Sequence, residues 1–193
     1  MGVIYMKILN FGSLNIDYVY SVDHFVQKGE TISSSQMNIF SGGKGLNQST
    51  ALGRAGAQVF HAGRIGKGGE FLVEQLKEAG VNTDLVVLDS QCSTGHAIIQ
   101  NDAEGDNCIL LYGGANQRIT KEQIDATLDQ FDAGDYLVLQ NETSNLPYLM
   151  EKAAEKQMKI VLNPSPMDEK IKALPLDKVT LFFVNEIEAA QIL

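Results

Sequence analysis

Short apolar runs alternate with amphipathic stretches along most of the 193 residues, and this rhythm constrains the fold more than any other feature. Runs at Met6 to Ser13, Ala57 to Gly66, Asp135 to Glu142, Lys159 to Pro166 and Thr180 to Glu186 read as buried strands. Between them, Glu70 to Gly80 sets Phe71, Leu72, Leu76 and Ala79 near helical spacing, with Gly80 as its stop. Leu146 to Met158 reads as another helix. The alternation predicts an α/β fold: a doubly wound, mostly parallel sheet with helices on both faces. Two segments break the rhythm. Tyr18 to Phe40 and Thr94 to Asn116 carry strand-like runs with no helix between them, the second turning at Glu104-Gly105-Asp106. They predict a small secondary sheet, either a lid over a crevice or an edge hairpin without further role.

A formal net charge of −9 argues against a generic nucleic-acid or anionic-membrane surface, since both need a positive footprint. No run reaches the roughly 18 apolar residues of a membrane span. The start, MGVIYMKILNFGS, passes straight into a strand pattern and makes a poor signal peptide. Met6 offers a second start, with the first five residues as a short leader. Cys92 and Cys108 have no metal or disulfide spacing and read as free thiols of a reducing cytoplasm.

Ligands of doubly wound sheets bind beyond the C-terminal ends of the strands, and those ends carry the polar inventory. The first delivers Asn15 and Asp17, two apart, which in an extended turn face the same way and suit neighbouring hydroxyls of a polyol. An Asx turn closing the loop is the equal alternative. FSGGKGLNQST follows (Phe40 to Thr50) and looks built for an anion. Yet Asn38 and Gly45 stand where a Walker-type loop needs Gly and Ser or Thr, and Gln48 ends the dinucleotide fingerprint that would start at Gly43. Gly42, Gly43 and Gly45 allow close approach, and a helix starting near Lys44 would aim free N–H groups into the crevice. Lys44 adds charge and Asn47 a polar head. Ala51, Gly53 and Ala55 predict tight packing of that helix on the sheet, and Gly56 ends it.

Further along, Glu142 ends an apolar strand, Asn163 precedes a Pro-x-Pro turn, and Asn185, Glu186 and Glu188 gather at a strand end and helix start. Carboxylates there suit the helix dipole alone, or water held around Mg²⁺. His24, His61 and His96 have no mutual metal spacing, and no nucleophile elbow appears, so covalent hydrolase chemistry is unsupported.

Taken in order, GSLNIDY, FSGGKGLNQSTALGRAGA, LQNE, LNPSP and VNEIEA resemble the ribokinase family, the PfkB-type carbohydrate kinases, across essentially the whole chain. The Gly-Gly-Lys-Gly-x-Asn form looks closest to ribokinase. The resemblance implies ATP-dependent phosphorylation of a sugar hydroxyl, of ribose or a related pentose, in a crevice under a small β lid. It implies that Asn15, Asp17, Gly43, Lys44, Asn47 and Glu142 bind the sugar, that Asn185 faces the nucleotide phosphates, and that Glu188 organises the Mg²⁺ shell through water. Segments 18–40 and 94–116 match the family's lid, which also serves as a homodimer contact. The family's Gly-Ala-Gly-Asp loop, bearing the catalytic Asp base, is not among these residues, and its adenine pocket and monovalent-cation site come from the same portion. The resemblance therefore implies that residues 1–193 form an incomplete ribokinase-like domain, the N-terminal two-thirds of a cytoplasmic kinase, inactive alone. A non-catalytic sugar-binding or regulatory module is the alternative. A nicotinamide-dependent oxidoreductase is disfavoured, because the first strand ends without the glycine fingerprint.

Overall fold

A computed structural model describes residues 6–192; the leader reading of the first five residues lies outside them. Six strands form the main sheet: β1 (Ile8–Phe11), β4 (Val59–Lys67), β5 (Asn82–Ser93), β8 (Tyr136–Gln140), β9 (Lys159–Asn163) and β10 (Val179–Phe182). Their order is β10-β9-β8-β1-β4-β5, with every neighbouring pair parallel. Four more, β2 (Asn15–Ser21), β3 (Gln36–Gly42), β6 (Gly95–Asn101) and β7 (Asn107–Tyr112), form a second sheet in the order β3-β2-β6-β7. The α/β sheet and its smaller companion both match the sequence reading.

Period-two side chains sort the main sheet into two faces. Leu9, Phe11, Leu137, Leu139, Ile160 and Leu162 pack beneath α3 (Lys121–Leu128) and α4 (Leu146–Glu155). On the opposite face, α1 (Lys44–Arg54) and α2 (Glu70–Glu78) close a second core around Leu46, Leu72, Leu76 and Val59. Beside α1 on that face, Ile8, Tyr136, Val138, Val161 and Phe183 line an apolar groove of about 430 Å³. No helix among the described residues is long and apolar enough to cross a membrane.

Several boundaries differ from expectation. The strand expected at 135–142 stops at Gln140, so Glu142 sits in the following turn. Asn15 and Asp17 lie within β2, so their shared direction comes from strand pleating and not from a turn. The small residues of α1 do not pack on the sheet. Ala51 and Ala55 are exposed, while Gly53 abuts the Ala79 carbonyl at the end of α2. Asn185 lies three residues past the end of β10, as the start of α5 (Glu186–Ile192).

Candidate functional site

The end of β1, the start of β2 and the start of α1 meet at one point, and glycines make that meeting possible. Gly43 has φ +94°, a left-handed conformation that side chains with a Cβ rarely adopt. At Gly45 a Cβ would run into the backbone of Gly12 and Ser13. The helix therefore begins in direct contact with the end of β1.

The α1 N-terminus is not the open anion cradle that its glycines suggest. Its first amides all have partners inside the protein. Lys44 N–H donates to Glu142 Oε2 at 2.8 Å, and Gly45 N–H to Ser13 Oγ at 3.1 Å. Leu46 N–H donates to the Ser13 carbonyl at 2.9 Å and Asn47 N–H to the Gly43 carbonyl at 3.0 Å. Gly43 stands at the N-cap position without a capping side chain. Glu142, arriving from beyond β8, caps the helix in its place, and a carboxylate there is doubly favoured by hydrogen bonding and the helix dipole.

Glu142 is the hub of the site. Its side chain is 9% exposed; Oε2 also accepts the Ser13 hydroxyl, and Oε1 lies 3.7 Å from the Lys44 ammonium. Lys44 is thus turned to a carboxylate and not left as an isolated point charge. Asp17 lies close enough to feel Glu142. Burial, and next the neighbouring Glu142 charge, raise its carboxyl above the usual aspartate range. The Asp17 carboxylate covers Gly42, where any Cβ would collide with it.

Asn15 is buried and fixed by a residue that the sequence reading did not single out. Asn116 Nδ2 donates to Asn15 Oδ1 at 2.7 Å, while Asn116 Oδ1 accepts Leu14 N–H at 3.0 Å. Ser13 is the other omission. A small hydroxyl residue directly after a glycine at the end of the first strand was the available signal, since ligands gather at such ends. Asn15, Leu111, Asn116, Asn141, Glu142 and Lys170 help line a cavity of about 320 Å³, within the range of small-ligand pockets. Its polar lining suits a polyhydroxylated molecule. The larger groove beside α1 lacks such convergent polar groups.

Asn47 is exposed on the first turn of α1. Asn185 and Glu188 lie apart from this cluster and bind each other. Asn185 N–H donates to Glu188 Oε2 at 3.0 Å, and Glu188 N–H to Asn185 Oδ1 at 2.8 Å, a reciprocal capping box. Asn185 is exposed and Glu188 half-buried. The box leaves the Asn185 amide group as a donor and one Glu188 oxygen as an acceptor. That donor set fits a phosphate oxygen and a water of a hydrated Mg²⁺. No group of three metal-ligating side chains occurs among the described residues.

A family model for pfkB family carbohydrate kinases matches residues 6–193. A ribokinase of Staphylococcus aureus (strain COL) is 34% identical over 192 residues, covering 95% of this chain and 62% of that protein. A ribokinase of Bacillus subtilis (strain 168) is 33% identical over 185 residues, covering 93% and 62%. The crystal structure of ribokinase from Cryptococcus neoformans var. grubii serotype A, in complex with ADP, superimposes with a TM-score of 0.82 at 36% identity, covering 97% of this chain and 60% of that one. The chain spans about three-fifths of the length of these relatives.

Proposed function

This chain belongs to the pfkB family of carbohydrate kinases, and from that premise we propose that the whole protein phosphorylates a hydroxyl of ribose or a related pentose with ATP. The ribokinases among its relatives support the sugar class, and the ADP in the fungal ribokinase structure supports the nucleotide. The observation that carries the reading is the convergence of Asp17, Glu142 and Lys44 beside a polar cavity. Two carboxylates accept hydroxyl hydrogens, and Asn15 and Asn47 add amide groups that donate and accept. Gly43 lets the loop backbone approach the sugar closely. In the reaction the acceptor oxygen forms a bond to the γ-phosphorus as the bond to ADP breaks, and its proton passes to a base outside residues 1–193. Catalysis of this kind rests on positioning and charge stabilisation around the phosphates. Asn185 would face those phosphates and Glu188 a water of the Mg²⁺ that offsets their charge.

The second sheet acts as the lid, with Leu111 of β7 at the cavity wall. Ile109 and Leu110 of the same strand are 57% and 68% exposed, which supports a homodimer contact through this sheet. The test is ATP consumption by the full-length protein across a panel of pentoses, hexoses and nucleosides. Turnover with a pentose, and none without sugar, is the expected result. No sugar-dependent turnover across the panel sinks the proposal.

A further inference from the structure

Directly beneath the candidate sugar site runs a chain of buried polar side chains that the proposed reaction does not use. Asn10 of β1, Ser49 of α1, His61 of β4 and Gln140 of β8 are all buried. Their hydrogen bonds run in series from β8 through β1 and α1 to β4. Gln140 Nε2 donates to Gln48 Oε1 at 2.7 Å and to Asn10 Oδ1 at 2.9 Å. Asn10 Nδ2 in turn donates to the Gly45 carbonyl and to Ser49 Oγ, each at 2.8 Å. Ser49 Oγ, accepting from Asn10, keeps its own hydrogen to give, and His61 Nδ1 lies 2.7 Å away to take it. His61 is then neutral, with its proton on Nε2. Burial supports this by driving the ring down to about 4, against the weaker opposing pull of the Gly12 carbonyl. Nε2 itself has no partner at full hydrogen-bond distance.

This same sheet face is mostly apolar beside them, with Ile8 flanking Asn10 in β1 and Tyr136, Val138 and Val161 beyond it. Apolar side chains would fill these positions without the desolvation cost of buried amides and imidazole. The chain joins what the site needs held together: the first turn of α1 that carries Lys44, the end of β1, and Gln140, two residues before Glu142. We propose that Asn10 is a positioning residue, with Ser49 and neutral His61 as its anchor, that sets the first turn of α1 against Glu142 and so shapes the sugar site. The effect on sugar binding rests on the function proposed above; the effect on α1 does not.

The experiment uses the full-length protein and three readouts. Nitrogen-15 NMR of His61 should show an acceptor Nδ1 and a protonated Nε2 at neutral pH; a proton on Nδ1 would overturn the directed chain. In Asn10→Leu, amide exchange at Lys44 and Gly45 should speed up about tenfold while the amides of α3 and α4 hold, and ribose affinity should fall about tenfold. Unchanged exchange at Lys44 and Gly45 in a folded variant overturns the proposal. If Asn10→Leu does not fold, Ser49→Ala is the smaller cut, and the same exchange result decides. If the unmodified protein binds no ribose, the sugar reading fails, and exchange and tautomer still judge the positioning chain.

Discussion

Glu142 and Glu188 do the same local job in opposite ways. Each accepts a backbone N–H at the start of a helix. Glu188 does so at its own helix, three residues from its partner, through an exposed bond. Glu142 reaches α1 from 98 residues away, is 9% exposed, and gathers the Ser13 hydroxyl and the Lys44 ammonium as well. The first is a feature of sequence, the second a product of folding. The acceptor end of the proposed reaction is therefore assembled with the core of this chain. The groups proposed for the phosphate end, Asn185 and Glu188, are joined only by their own reciprocal bonds.

The largest test of this contrast removes Glu142. Glu142→Ala strands the Ser13 hydroxyl and the Lys44 amide and leaves the Lys44 ammonium without its carboxylate. Lys44 is 38% exposed, so water takes up part of its freed charge, and the loss is mainly that of the unpaired Ser13 and Lys44 donors, roughly 1–3 kcal/mol. Ribose affinity of the full-length protein, read by calorimetry, should fall by a hundredfold or more, and the thermal midpoint should drop with the lost cap. A near-unchanged affinity would mean that the hub is structural only.

Asp17→Asn separates function from stability within the same cluster. The raised Asp17 carboxyl means that the folded state holds its proton to a higher pH than the unfolded chain does. The folded state then binds more protons in the window between the ordinary aspartate range and the raised one, so stability falls as pH rises through it. At neutral pH the charged Asp17 is a cost that the amide removes. The variant should melt higher than the unmodified protein at pH 7, with the gap closing in acid. It should also bind ribose about tenfold more weakly, because one carboxylate acceptor is gone. A lower midpoint at pH 7 would show that Asp17 is held by partners favouring its charge.

How much of this was legible in the sequence follows the same division between local and distant. The strand–helix alternation fixed β1, β8, β9 and α4, because strand runs and helix faces are local patterns. The gathering of Asn185 and Glu188 at a helix start was legible for the same reason, but their mutual capping was not read. β5 was not, since NTDLVVLDSQCS mixes polar residues into its apolar run and shows neither period cleanly. Nor was α3, whose eight residues are only weakly amphipathic, although Thr120 does cap it by accepting Gln123 N–H. The site residues Asp17, Lys44 and Glu142 could be named as polar groups at strand ends. The occupation of the α1 amides could not, because the groups that fill them lie on other elements. An expected open helix N-terminus became a closed one through contacts between residues 13, 44 and 142.

The smallest expected effect lies at the local end. Glu188→Ala removes one acceptor from an exposed capping box, a loss of about 0.5–1 kcal/mol. Water can take over the freed Asn185 N–H, which keeps the cost at the low end. Ribose affinity should stay within about twofold, because nothing in the Glu142 cluster touches Glu188. Phosphoryl transfer by the full-length protein should nonetheless fall, if Glu188 positions water around Mg²⁺, and the fall should ease as Mg²⁺ is raised. Calorimetry with ribose and a Mg²⁺ titration of turnover read these separately. A loss of sugar affinity matching that of Glu142→Ala would erase the contrast, since it would require the two carboxylates to serve one site already joined in this chain.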